Sequence, residues 1–600
     1  MSQRPTPPWA EDAIEDPRMN AQPLEVYMYY AALERAREDA DKRPVPDSPI
    51  TILFKRMVGR KASIVWPYGP PKENKGGWLR QKRKRAEQSA QTTPQSQVEE
   101  KQVEEKQDTS AKDDTNVEGG SDLLGVLSPT ERESAYRLLR AASWQLVFFL
   151  ITTDVLGWYT APMAFAQLGY GPGVLVYTCF WALAFASGQI LWRMYMTLDS
   201  ERYPVKCYAD LGERTYGPTV RHVFNVLQSL QLVFNTSMLI IMSGQGLAEI
   251  IDFKFCYLAL NVFFALLGAV LSQIKTIRGL GMFTVIGTVT NLLVMALTMA
   301  GVALYDPVPS QSGHADLSEP KVVSGWVPSY SSGWYEQVSG CMRAVFAYGG
   351  AMIFTEFMAE MRRPRDFWKA AFGAQFFCYS LYMLFGMYVY SYQGQYTNIL
   401  PTVNIDSVLF QGLTNILGLI CVTIIAVMYS HIGAKVFYRN VMRGYFKAPS
   451  LTSSKSTLYW SAVVCGYWAV AWVIGSAVPN ITDLNTVVGA ACILQFTYTF
   501  PPALLVGHWV QRDALKGDSV WEPGIEPGSN RVDSWSDKSR WRRGFRPYWF
   551  AKLFLMVYVL CALATCGLGI YSGVQGAKES FRSGRTTSFS CRAPGQPLDK

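Results

Sequence analysis

The chain has 600 residues, 49% of them hydrophobic and only 17% charged, with a formal net charge of +9. A mean hydropathy of +0.06 is too low for a chain built wholly of bilayer-crossing helices and too high for a soluble one, so the average joins a polar segment to a membrane segment. Four scattered histidines, no C-x-x-C, no G-x-S-x-G and no nucleotide-binding glycine loop argue against a metal centre, a hydrolase or a nucleotide enzyme.

Residues 1–140 read as a cytoplasmic, largely disordered tail. Gln97 to Lys101 and Gln102 to Lys106 repeat QVEEK, in a neighbourhood too polar to bury enough apolar surface to offset the entropy of ordering. Within the tail, Pro23 to Glu38 has the spacing of a short amphipathic helix. Lys82 to Arg85 is a basic run, read as a solvated face or as a contact for anionic lipid rather than for nucleic acid. No apolar segment stands near Met1, so the first span is expected to serve as the insertion signal.

From Ser143 onward the expectation is an all-α polytopic membrane protein of about eleven transmembrane helices. They are placed at roughly 144–168, 172–195, 222–250, 256–274, 281–304, 338–358, 369–392, 407–433, 458–478, 482–510 and 548–573. This gives a transmembrane domain over 141–575 and a C-terminal tail over 576–600. Most cysteines stand singly in apolar runs and read as packing residues; Cys256 and Cys341, both near outer ends of spans, are the one candidate pair.

Lys and Arg mark the cytoplasmic loops. They cluster after span two (Arg202, Lys206, Arg214), span four (Lys275, Arg278), span six (Arg362, Arg363, Arg365, Lys369), span eight (Lys435, Arg439, Arg443, Lys447) and span ten (Arg512, Lys516, Arg540, Arg542, Arg543). The N-terminus is therefore expected inside and the C-terminus outside. The basic residues Lys578, Arg582, Arg585 and Arg592 of the final tail run against that assignment.

Two spans carry helix breakers in their interiors. In span one, Thr152 to Pro162 places a carboxylate, Asp154, beside Gly157 and Pro162 near the expected bilayer centre, where a charged side chain is expensive. In span six, Ala347 to Ala351 holds Gly349 and Gly350. A helix can open in hydrocarbon only where protein or a cavity receives the freed backbone groups, and paired interrupted helices in two halves point to a transporter's binding site. Half-helix N-termini favour a carboxylate and freed carbonyls favour a cation, so an α-amino acid suits both ends.

Three polar residues of span three, Gln228, Gln231 and Asn235, share one helical face. They read either as substrate contacts or as interhelical hydrogen-bonded glue. Thr414, Asn415 and Thr423 lie on span eight, and a hydroxyl there would complete a cation site unless it bonds back to its own helix. Asp154 has three readings: a coupling proton acceptor, a counter-ion for the substrate ammonium, or an acceptor for backbone groups freed by the break. Glu356 and Glu360, among arginines at the inner end of span six, suggest a gate; His431 and His508 read as structural.

Three motifs carry a family resemblance. Asp154 to Gly157 running through Ala161 to Gly173, Tyr208 to Gly217, and Thr355 to Phe367 together resemble the amino acid/auxin permease family, the transmembrane amino acid transporters, over roughly residues 140–575, with a weak likeness to its fungal members. The resemblance implies a LeuT-type 5+5 inverted repeat with discontinuous helices 1 and 6, moving amino acids by symport in a plasma or vacuolar membrane. It places the substrate carboxylate against the backbone of Leu156, Gly157 and Trp158, and the opening from Tyr348 through Gly349 and Gly350 to Ala351 on the other side; Tyr159 and, from the polar face of span three, Gln231 and Asn235 complete the expected substrate contacts. Asp154 and Thr423 are assigned to ion coupling, by H+ or Na+, and no other cofactor or metal is expected. Asp154 departs from the small residue usual in the family, which leaves the coupling ion open. Expected partners are the amino acid, membrane lipid and cytoplasmic regulators of the tail. The competing reading is an amino acid sensor signalling through that tail.

Overall fold

The structure, a computed structural model, describes residues 22–40, 142–155, 157–273, 277–307, 321–329, 333–398, 400–442, 446, 448, 456–477, 481–582 and 588–593. Leu156 and most of the tail, including the basic run and the QVEEK repeat, lie outside the described residues.

Ten helices among the described residues are long and apolar enough to cross a bilayer. They correspond to every expected span except the fourth, which is the 15-residue helix Tyr257–Leu271. At 1.5 Å per residue it is about 22 Å long, short of the ~30 Å hydrocarbon core. The sequence reading carried this span on to residue 274, whereas the chain turns at Ser272, whose N–H bonds to the Gly268 carbonyl at 2.9 Å. The third span, Pro218–Ile250, packs along the eighth, Val408–Phe437, while the first span packs chiefly against the seventh, Phe367–Gln393. The eleventh, Trp549–Lys578, is the least buried of the ten, with 11% of its apolar window covered by the rest of the protein.

Both expected breaks are present. The first span runs Trp144–Val155, opens, makes one 3₁₀ turn over Trp158–Thr160 and resumes as Ala161–Leu168. The sixth runs Trp334–Ala347, opens through Tyr348 to Gly350, turns over Ala351–Ile353 and resumes as Phe354–Glu360. Pro162 lies in the first turn of its half-helix, where a missing N–H leaves no bond unmade. Gly349 is required by its surroundings: an added Cβ would come within 2.4 Å of Ile493 Cγ2. Gly169, which ends the first span with φ of 81°, would bring a Cβ to 2.0 Å from the Trp326 carbonyl oxygen, because segment 321–329 folds back there and bonds to Tyr170 and Gly171.

At the other end the two broken spans are tied together. Ala142 N–H donates to the Glu360 carbonyl at 3.0 Å, and Arg362 N–H to the Ala142 carbonyl at 3.1 Å. Just inside this tie, Gln228 Nε2 donates to Glu356 Oε1 at 2.7 Å and to the Met352 carbonyl at 3.3 Å. Gln228 therefore acts as interhelical glue. In the helix Tyr208–Tyr216, burial raises the Glu213 carboxyl above its ordinary value, against the lowering effect of paired Arg221.

Cys256 is disulfide-bonded to Cys591, not to Cys341, and Cys341 is free. A pairing of span ends leaves out the C-terminal tail, where the partner lies. The bond holds Cys591 where the fourth helix begins, and Tyr257 N–H donates to the Cys591 carbonyl at 2.9 Å.

The expected tail helix forms as Leu24–Ala40 and is docked rather than free. Arg35 Nη2 donates to Asp199 Oδ2 at 3.1 Å, Glu25 accepts from Arg531 at 3.0 and 3.2 Å, and Arg365 pairs with Asp39. Tyr27 meets Tyr203 edge-on at 5.4 Å, with Arg214 over its ring at 4.6 Å. The helix thus bridges the end of span two, the linker after span six and the loop after span ten. Arg35→Glu removes a charge-assisted hydrogen bond worth on the order of 1.5–3 kcal/mol and adds repulsion at Asp199. Limited proteolysis of the purified protein should then cut within residues 22–40 about tenfold faster; wild-type protection would contradict the docking.

The loop after span ten, outside the family-like motifs, is built on buried ion pairs. Arg540 reaches Asp518 at 2.9 Å and Asp533 at 3.2 Å. Lys552 donates to Asp513 Oδ2 at 2.6 Å and to the carbonyls of Gly544 and Pro547 at 2.6 and 2.8 Å, using all three of its protons. Satisfying every donor is the condition under which a buried ammonium is tolerated.

Candidate substrate site

The site is assembled where the two breaks meet, and one side chain joins them. Tyr382, on the seventh span, accepts a hydrogen bond from Gly157 N–H at 2.9 Å and donates its hydroxyl proton to the Ala347 carbonyl at 2.9 Å. Gly157 has φ −98° and ψ 55°, outside the helical region, and its carbonyl accepts from Thr160 Oγ1 at 3.2 Å. Backbone groups that a broken helix frees in hydrocarbon must find such partners.

Around the breaks lies a cavity of about 140 Å³. Of the expected site residues, Asp154, Gly157, Trp158, Tyr159, Asn235 and Gly349 line it. Trp158 Nε1 bonds to Asn291 Oδ1, and its ring meets Phe385 edge-on at 4.7 Å. The Asp154 carbonyl accepts from the Tyr429 hydroxyl at 3.5 Å, so the eighth span touches the first at the carboxylate-bearing residue.

Gln231, Tyr348 and Gly350 do not line the cavity. Gln231 is fully buried with neither side-chain polar atom hydrogen-bonded. Tyr348 is buried among Tyr177 and Tyr382, at ring distances of 6.0 and 5.4 Å. Thr423 stands apart from the site: its hydroxyl bonds back to the Leu419 carbonyl at 2.6 Å, and it lines a separate apolar groove between the third, fourth, fifth and eighth spans.

Sequence reasoning missed the polar wall residues Asn291, Tyr429, Ser243, Thr402 and Glu249. The first two stand inside apolar runs, where the test that singled out span three would have flagged Asn291; Tyr429 gives no such signal, because a tyrosine in an apolar run resembles packing. Glu249 sits at the end of span three and reads as the charge that stops it.

A family model described as "Transmembrane amino acid transporter protein" matches residues 140–506. The chain belongs to this family. A protein called "Transmembrane transporter" from Fusarium pseudograminearum is 24% identical over 377 residues, 62% of this chain and 75% of the relative. Another so named, from Gibberella moniliformis, is 23% identical over 61% of this chain and 75% of its own. The "N amino acid transport system protein" of Neurospora crassa is 21% identical over 477 residues, 77% of this chain and 90% of that protein. The three family-like motifs read from the sequence all fall within the matched residues, and both broken helices are part of the matched domain.

Proposed function

We propose that this protein is a secondary active transporter that moves amino acids by alternating access, coupled to a proton or sodium gradient. The observation that carries this reading is the pair of broken helices meeting at Tyr382 beside a cavity whose wall includes one carboxylate at the break, Asp154. A LeuT-type 5+5 inverted repeat fits two interrupted helices five spans apart. Substrate carboxylate would approach the Trp158 to Tyr159 turn and its ammonium would face Asp154 and Asn235. Because Tyr382 takes the Gly157 N–H, the neighbouring turn rather than Gly157 itself is left to meet the carboxylate. Asp154 serves as the coupling group, and Thr423, which bonds back to its own helix, has no part in this scheme.

A cytoplasmic N-terminus goes with this reading. Disulfides persist in oxidising compartments, which supports a Cys256–Cys591 face outside the cytosol and loops rich in Lys and Arg inside it. The deciding experiment is uptake of a panel of radiolabelled amino acids into proteoliposomes, at two pH values, with and without sodium. Gradient-dependent accumulation of at least one of them is expected; no uptake of any under all conditions refutes transport.

The sensor reading is favoured by one observation, the helix Leu24–Ala40 docked across three inner elements, through which core movement would reach the tail. Deleting residues 1–135 separates the two readings. A transporter keeps accumulating substrate, whereas a sensor loses its downstream signal and shows no uptake in either form.

A further inference from the structure

The cavity does not end at the breaks. Along the third span its wall continues through Met238, Met242 and Gly246 to Glu249, so one face of that helix lines it for fourteen residues from Asn235, about 21 Å of rise. At the far end Asn415 Nδ2 of the eighth span donates to Glu249 Oε2 at 2.9 Å. No Lys, Arg or His lines the cavity among the described residues. Among the described residues the wall itself therefore carries two carboxylates and no cationic side chain.

A second observation points to a donor ligand. Asn235 is 6% exposed, lines the cavity, and its Oδ1 has no hydrogen-bond partner. An acceptor buried without a partner costs on the order of 1–3 kcal/mol, a cost that an ammonium would relieve. Asn235 and Glu249 are separated by about 21 Å of rise along the third span, farther than any single amino acid reaches, so the two ends act in series rather than as one clamp.

Resting on the transport reading above, we propose that Glu249, held by Asn415, is an outer station for the ammonium or guanidinium of cationic amino acids. The Asp154–Asn235 end is the inner site to which they pass. Apolar walls with one sign of charge raise the local concentration of oppositely charged ligand, so the path selects basic over acidic substrates. Neutral amino acids use the inner site without the benefit of the outer one.

The test uses the full-length protein in proteoliposomes, with labelled lysine, leucine and glutamate. Wild type is expected to take up lysine with a lower KM than leucine, and to take up no glutamate. Glu249→Gln removes one charge-assisted contact, so the lysine KM should rise about tenfold relative to that of leucine, equivalent to about 1.4 kcal/mol. Glu249→Asp should restore most of the difference. The proposal is overturned if lysine and leucine change in parallel, or if wild type moves leucine but not lysine. If no amino acid is moved under any gradient, the transport reading itself has failed.

Discussion

Asp154→Asn is expected to reduce gradient-driven accumulation to an inside-to-outside ratio of about one, while exchange of internal for external substrate persists. Asp154 is the last charged residue before the first break, half-buried at the cavity wall, and an ionisable group at that depth must be neutralised or matched in each state of the cycle. The amide keeps size and hydrogen-bonding capacity and loses titration and negative charge. A ligand or ion shifts a conformational equilibrium only by its differential affinity for the two states; without the carboxylate that difference disappears and the gradient no longer drives the step. Counterflow in proteoliposomes measures the retained exchange. Full accumulation with the wild-type pH dependence would remove Asp154 from coupling.

Tyr382→Phe is expected to be the most damaging conservative change in the transmembrane region. It deletes one oxygen and strands two backbone groups, Gly157 N–H and the Ala347 carbonyl. Each buried group left unpaired costs on the order of 1–3 kcal/mol, so the pair costs about 2–6 kcal/mol, concentrated where the two broken helices meet. The expected results are a lower midpoint of thermal unfolding in detergent and at least a tenfold fall in uptake rate. Unaltered melting and uptake would show that the breaks are held by other contacts. Tyr379→Phe, on the same span, removes a hydroxyl that meets Thr178 at 3.1 Å away from the breaks, and is the control for loss of a tyrosine hydroxyl as such.

These two residues also mark what was legible beforehand. Asp154, Gly157 and the Gly349–Gly350 pair were found because each violates the composition of its surroundings: a charge or a helix breaker in an apolar run has few reasons to be there. Tyr382 violates nothing. The seventh span also holds Tyr379, Tyr388, Tyr390 and Tyr392, and only the fold reveals which hydroxyl faces a freed carbonyl. Register along a helix was readable, as the shared face of Gln228, Gln231 and Asn235 shows, but their fates diverged with depth. Gln228 ties to Glu356, Gln231 is buried without lining the cavity, and Asn235 lines it. Periodicity gives a direction around the helix axis; what stands opposite depends on a neighbour far away in the chain.

Helix ends followed the same logic. Charges stopped most spans where expected, but the fourth ends at uncharged Ser272, whose hydroxyl meets that of Ser430 at 2.8 Å. A stop set by a tertiary partner leaves no local signature. The tail helix Leu24–Ala40 was visible as a pattern, while its docking depended on residues from Asp199 to Arg531.

The link between Cys256 and Cys591 spans 335 positions and closes a covalent ring that contains every span from the fourth to the eleventh. A single protease cut in any loop within that ring opens it without releasing a fragment. Nicked protein should therefore migrate near its intact mass on a non-reducing gel and split into two pieces only once thiol is added. A cut before Cys256, by contrast, should free its N-terminal piece under either condition.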